Sequence, residues 1–300
     1  MDILCIGQAA YDITVVYPGP LVENQKYRAV RSSRCPGAPA FNAAALCARW
    51  GALTGLVARI GNDEYGELIR REAAAIGIDG SLLMSGEGLT TSYSLIAVDA
   101  ANGSRTIINV PSSGEADAIE YPVEAPRVIL FDGHEPLESL RVLDLYPQSI
   151  SVVDAGTCRE ETLMVASRAD YLICSEDFYA QYSGESIDDP ADEDAIDRAL
   201  KRIEGISGGV AVVTLGSRGL VFRDEAGRAT HMPAYSVDAV DTTGAGDIFH
   251  GAAAFGLSRG WPFPKVLATA SMASAISVES VGGFTSIPFY AQVMERLQRI

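Results

Sequence analysis

The chain has 300 residues, 48% of them hydrophobic and 21% charged, an ordinary globular composition with enough apolar side chains for a sizeable core. Its 39 acidic and 23 basic residues give a formal net charge of −16, which argues against nucleic acid or an anionic membrane as partner, because both need a basic surface. Five scattered cysteines, never spaced C-x-x-C, suggest neither a disulfide framework nor a zinc site and fit a reducing cytoplasm. No uncharged apolar run reaches the roughly 18 residues of a membrane helix, and the opening M-D-I-L-C-I-G has no basic region or cleavage site.

Residues 3–7 are a short apolar run ending in glycine, the pattern of a buried strand whose C-terminal end faces a ligand crevice. The continuation Q-A-A-Y-D does not complete G-x-G-x-x-G, so a dinucleotide fold is disfavoured. Asp12 follows in what reads as a loop, where a turn or cap is the plain alternative to a ligand contact. Residues 13–34 alternate and are rich in β-branched side chains around a Pro-Gly-Pro break, which predicts two strands joined by a loop. A second pair is predicted over residues 91–110, with Asn102-Gly103 in its turn. Between the pairs, Pro39 opens a helix running to Trp50 and ended by Gly51. Residues 53–60 read as a strand, and Asn62-Asp63 cap an amphipathic helix through Ala75, ended by Gly77.

Further on, strands predicted at 128–131, 150–153, 171–174 and 210–215 alternate with helices at 136–145, 160–167 and 192–203. That alternation implies a largely parallel sheet covered on both faces. The acidic stretch 184–194 reads as a solvated loop. Asp132 and His134, just past a strand end, are candidate sugar contacts. His134, His231 and His250 are too dispersed for a metal cluster, and His250 reads as a packing or helix-surface group.

V-V-T-L-G-S-R-G-L-V-F at 212–222 reads as strand, glycine turn, strand. Gly216 and Gly219 let backbone approach a ligand, and Thr214 and Ser217 offer hydroxyls to phosphate, although a plain hairpin looks the same. A Walker motif is absent from the sequence. From Ser271 the chain carries a small-residue helix and then a Gly-Gly loop, leaving room for a flat ring such as adenine.

The most informative stretch is V-D-T-T-G-A-G-D-I-F-H-G-A-A at 240–253. Gly244, Ala245 and Gly246 have almost no side chain and open a small-residue helix, so their N–H groups and the helix dipole make an anion site. A carboxylate placed beside such a site, Asp247, repels the phosphate it adjoins. It makes sense as the group that takes a proton from a hydroxyl attacking phosphorus.

The full D-T-T-G-A-G-D resembles the signature of the ribokinase-like carbohydrate kinases, the PfkB family, and D-I-F-H-G-A, K-Y-R-A and R-T-I-I-N-V-P-S look most like the ketohexokinase and sulfofructose kinase types. The resemblance implies an α/β three-layer sandwich with a largely parallel central sheet, a single kinase domain over 1–300, and a small β lid built from about 12–34 and 90–110. It implies Asp247 as general base, Gly244, Ala245 and Gly246 as anion hole, and Asp12 on two sugar hydroxyls. Gly37 and Asn42 fall on G-G-x-x-x-N, with Ala38 in place of the second glycine. Lys26 and Asn109 match positions that hold an anionic group, with His134 where an arginine is expected. Thr214, Gly216, Ser217 and Gly219 match an ATP contact, which Ser175 and Ser271 join. Asp241, Thr243, Ser277, Ser280, Gly282 and Ser286 match a monovalent cation site, for instance for K⁺. The family's magnesium motif Asn-x-x-Glu is altered to Ser175 and Phe178, leaving Glu176 or Asp177 to organise Mg²⁺-bound waters. The expected activity is ATP-dependent phosphorylation of a small sugar, uncharged in first choice and anionic in second. A nucleoside kinase, and a non-catalytic sugar or nucleotide sensor, stand as alternatives. Exposed lid edges imply a homodimer.

Overall fold

The computed structural model describes residues 1–101 and 104–299, so the expected Asn102-Gly103 turn lies outside the described residues. In chain order the first elements are β1 (Ile3–Ile6), β2 (Ala10–Tyr17), β3 (Arg31–Gly37), α1 (Pro39–Arg49) and β4 (Thr54–Val57). Then come α2 (Glu64–Ala75), β5 (Ile78–Asp79), β6 (Ser92–Asp99), β7 (Arg105–Val110) and β8 (Val128–Phe131). The middle of the chain holds α3 (Pro136–Leu145), β9 (Ile150–Ala155), α4 (Glu160–Ala166), β10 (Tyr171–Ser175), α5 (Glu176–Ser183) and α6 (Glu193–Ser207). The last third holds β11 (Val210–Thr214), β12 (Leu220–Arg223), β13 (Ala229–Met232), α7 (Ala245–Ser258), α8 (Phe263–Ser277) and α9 (Tyr290–Gln298).

The larger sheet runs β13-β12-β11-β10-β9-β8-β1-β4-β5. It is parallel from β11 to β5, and β12 and β13 add antiparallel at one edge. Every residue of β1, β4 and β8 is buried, as strands covered on both faces must be. Alternate residues feed two cores: Ile3 and Cys5 pack with α1, α7 and α8, whereas Leu4 and Ile6 pack on the side of α3 to α6. The smaller sheet, in the order β3-β2-β6-β7, stands apart.

Most predicted elements are present, with instructive differences. β2 begins at Ala10 and β3 only at Arg31. The intervening Tyr27, expected in a strand, hydrogen-bonds the Pro20 carbonyl through its hydroxyl, because the Pro-Gly-Pro break makes a long loop. The parallel pairing of β2 with β6 joins the two remote segments in one sheet. Asp63 caps α2 as expected, accepting from the Gly66 N–H. The helix α5 and the strand β13 had no sequence counterpart. Ser175 starts α5 by accepting from the Phe178 N–H, and β13 is only four residues long, all of them half-buried.

Candidate active site

Gly244 caps α7 with φ 75°, and a Cβ there would lie 2.7 Å from the Gly283 Cα and 3.4 Å from Asn42 Nδ2. Glycine therefore lets the 240–244 loop pack backbone to backbone on the 282–283 loop. Ala245, Gly246 and Asp247 form the first turn of α7, whose N–H groups have no acceptor within the helix. Gly246 is exposed with open space around its Cα.

Asp247 Oδ2 accepts a hydrogen bond from Asn42 Nδ2 at 2.7 Å, across 205 residues of sequence. Asn42 is 3% exposed, and its Oδ1 has no protein partner among the described residues. Burial, then the nearby Asp154, push the Asp247 carboxyl up to about 6 against the opposing effects of Asn42 and His250. The side chain keeps part of its surface open.

Asp12, on β2, sits against β3 so closely that a Cβ on Gly37 would be 2.1 Å from its Oδ2, which is why glycine stands there. Burial raises the Asp12 carboxyl to about 6, the Ser94 hydroxyl opposes this, and the charge of Asp247 adds to it. That coupling places the two carboxylates in one electrostatic neighbourhood. Strand register sets Asp12 beside Ser94 and Ser94 beside Asn109. Asn109 Nδ2 donates to Ser92 Oγ at 3.2 Å and to Ser94 Oγ at 3.3 Å. Lys26 is exposed in the β2–β3 connection.

Asp132 departs from its expected place as a sugar contact. Its Oδ2 accepts from the N–H groups of Gln8 at 2.8 Å and Ala40 at 3.2 Å, and its Oδ1 from that of His134 at 2.9 Å. Both oxygens are used in tying the ends of β1 and β8 to the start of α1. His134 instead faces the Arg159 guanidinium, whose nitrogens lie 3.3–3.4 Å from the ring nitrogens.

A cavity of about 490 Å³ lies beyond the glycine turn. Thr214, Gly216, Ser217, Gly219 and Ser271, all singled out from the sequence, line it, and Ala245 and Gly246 border it. Residues 234–239, which carry no motif, contribute Tyr235, Val237 and Ala239, and α7 adds Phe249. Their only sequence signal was position, between a strand and the signature. Ser175 is elsewhere: its hydroxyl donates to the Gly156 carbonyl at 2.9 Å and caps α5. The Glu176 carboxylate is paired with Arg218, which also donates to the carbonyls of Ile187 and Asp188. Among the described residues no cluster of three His, Cys, Asp or Glu side chains could hold a metal.

Asp241 organises the adjoining loops. Its Oδ1 accepts from Thr243 N–H at 2.9 Å and Thr243 Oγ1 at 2.7 Å, and its Oδ2 from Gly282 N–H at 2.8 Å. Burial alone would raise this carboxyl, but these bonds and Arg105 hold it below its ordinary value. Ser277 and Ser286 turn their hydroxyls to the Ser274 and Gly283 carbonyls, and Ser280 is exposed at the same turn. Arg105, not anticipated, reaches from β7 to the Thr242 hydroxyl at 2.8 Å and so links the small sheet to the signature loop.

The chain is 27% identical to a ribokinase of Bacillus subtilis, over 99% of both chains. It is 27% identical to an aminoimidazole riboside kinase of Salmonella typhimurium, over 87% of both. Its fold matches that of an Arabidopsis thaliana ribokinase solved with ribose and ATP, with a TM-score of 0.83 over 99% of this chain and 98% of the other at 22% identity. Residues 1–289 match the family described as pfkB family carbohydrate kinase. By that match, and in keeping with its two sheets and its glycine-capped α7, the chain belongs to the pfkB family of carbohydrate kinases.

Proposed function

We propose that this protein is an ATP-dependent sugar kinase of one domain over 1–300, in which Asp247 is the general base. One observation carries the reading. Ala245 and Gly246 border the cavity, while the next residue, Asp247, faces away from it toward Asn42. The signature thus stands between a nucleotide compartment and a sugar compartment. In the second, Asp12 and Asn42 present polar groups, and the Asn42 Oδ1, without a partner among the described residues, suits a substrate hydroxyl. Asp247 takes the hydroxyl proton as that oxygen attacks the γ-phosphorus, and the N–H groups of Gly244, Ala245 and Gly246 stabilise the developing charge. The small sheet acts as a lid that excludes water.

When bound with ATP, Mg²⁺ neutralises phosphate charge. Ser175 and Glu176 do not fit a direct Mg²⁺ site, because Ser175 caps a helix and Glu176 is paired with Arg218, which leaves the exposed Asp177 to organise Mg²⁺-bound waters. The oxygen donors of Asp241, Thr243, Ser277, Ser280, Gly282 and Ser286 fit a hard monovalent cation such as K⁺, which would brace the anion-hole loop. Five free cysteines and the absence of any helix long and apolar enough to cross a membrane among the described residues suit work in the cytoplasm.

The substrate is a ribose- or fructose-like sugar, as the relatives' names suggest. A second reading, an anionic sugar, draws on Arg159, which faces His134 with a buried Nε that has no partner among the described residues. An ATP-consumption screen over neutral sugars, sugar phosphates and nucleosides, with and without K⁺, separates these readings. Turnover on nucleosides alone would make it a nucleoside kinase. Sugar that shifts the melting temperature without any turnover would make it a sensor. Asp247→Asn is expected to lower kcat by about 10²–10⁴-fold with ATP binding retained; full kcat in that variant would sink the assignment of the base.

A further inference from the structure

His250 lies on α7 one turn beyond Asp247 and is 4% exposed. Its Nδ1 is 2.7 Å from the Gly246 carbonyl oxygen and 3.2 Å from Asp154 Oδ2, and its Nε2 is 3.1 Å from the Ile173 carbonyl oxygen. Both ring nitrogens therefore face acceptors, and a carbonyl oxygen can never be the donor. A neutral imidazole has one N–H and would leave one close contact between lone pairs. Protonation of the ring satisfies both carbonyls, and Asp154, 9% exposed at the end of β9, is the counter-charge. Burial resists both charges, pushing the ring down and Asp154, beside Asp132, up, and across 3.2 Å each offsets part of that cost for the other.

We propose that Asp154 and His250 form a buried pair that shares one proton, holds the peptide between Gly246 and Asp247 in place, and sets the basicity of Asp247 from behind. These are positioning residues, and the proposal rests on the reading of Asp247 as base. The Gly246 carbonyl that His250 binds belongs to the peptide joining the anion hole to the base. Among the described residues the other titratable groups around this turn are Asp12 from β2, Cys5 from β1, Cys47 from α1 and Asp132 just past β8. From α8 comes the Ser274 hydroxyl, bonded to the Ala245 carbonyl, while its one cation, Lys265, sits over Trp261. Among these groups His250 alone can carry a positive charge, and it offsets the Asp154 carboxylate. A net-neutral pair keeps a fixed negative charge from accumulating behind Asp247.

Two measurements test this. In the intact protein, which has three histidines, ring ¹⁵N spectra should show His250 holding a proton on Nε2 and sharing one at Nδ1, unchanged from pH 5.5 to 8.5. A bare Nε2, or a titration near the ordinary histidine value, overturns the pair. In kinetics with D-ribose or D-fructose, whichever turns over, His250→Asn should move the acid limb of kcat/KM up by roughly half a unit to one unit, and Asp154→Asn should move it down by a similar amount. The double variant should return the limb near its starting place. A purely structural role would lower stability and leave the limb in place, and that result, or shifts of the same sign, rejects the proposal. If Asp247→Asn keeps full kcat, the reading of the base fails whatever these limbs do. If Asp247→Asn is inactive while the limbs stay fixed, only the pair is wrong.

Discussion

Two carboxyls sit at about 6: burial and then the charge of Asp247 resist ionisation of Asp12, and burial and then the charge of Asp154 resist ionisation of Asp247. A base must be ionised, so kcat/KM is expected to rise through about pH 6 and level off above it. The stability consequence has the opposite sense. Each group's folded pKa is raised above the ordinary 3.8, so between the two values the fold holds protons that the unfolded chain has released. The unfolded state then binds fewer protons, and stability falls as pH rises from about 4 to about 6 and stays lower above. Asp247→Asn is accordingly expected to stabilise the fold at pH 7.5 by about 1 kcal/mol, after discounting for its part-open surface, and much less at pH 4.5. Thermal scans at the two pH values check it. A lower melting temperature for the variant at pH 7.5 would mean that the carboxylate is a structural asset.

At the scale of elements, the junction of β3 and α1 carries strain. Ala38 has φ 77° and ψ 159°, a conformation that belongs almost entirely to glycine. It nonetheless starts α1, because its carbonyl accepts from the Asn42 N–H at 2.9 Å. The residue under strain is therefore one turn from the side chain that holds Asp247. Ala38→Gly should raise stability by about 1 kcal/mol, the strain relieved exceeding glycine's extra backbone entropy. Differential scanning calorimetry measures this, and an unchanged or lower melting temperature would count against strain at this junction. A second junction, Arg105 with Thr242, ties the small sheet to the signature loop, so the position of one bears on the other.

For the whole molecule, the small sheet is the exposed part. Val30 beside β3 is 68% exposed, and Ile107 and Ile108 on β7 are 50% and 59% exposed. Both β3 and β7 are edge strands, with unpaired backbone groups that favour a partner. This region also carries Lys26, Arg28, Arg31, Arg34 and Arg105 in a chain whose net charge is −16. Exposed apolar side chains on open edge strands suit pairing of two copies, and the apolar contact has to outweigh the repulsion between the two sets of cations. Light scattering at micromolar concentration should give twice the mass of one chain, and a monomer would remove the inference.

Much of this was legible in residues alone, because it rests on local physics. The glycine-opened helix at 244–247 shows in sequence, since only residues without side chains let amides crowd a ligand. The strand and helix alternation shows too, because burial on two faces demands runs of Val, Ile and Leu. Capping explains Ser175 and Glu176, where local rules and a family pattern competed and a helix N-cap and an ion pair prevailed. Contacts between distant segments were decided only by tertiary structure. The parallel join of β2 with β6 aligns Asp12, Ser94 and Asn109, and no periodicity within either segment encodes that partner. Asp132 looked free at a strand end, yet the fold brings three backbone N–H groups to it from separate places. His250 looked like packing until Asp154, 96 positions earlier, came within 3.2 Å of its ring. Charge and chemistry are properties of residues, whereas the partner that gives a buried charge its meaning is a property of the fold.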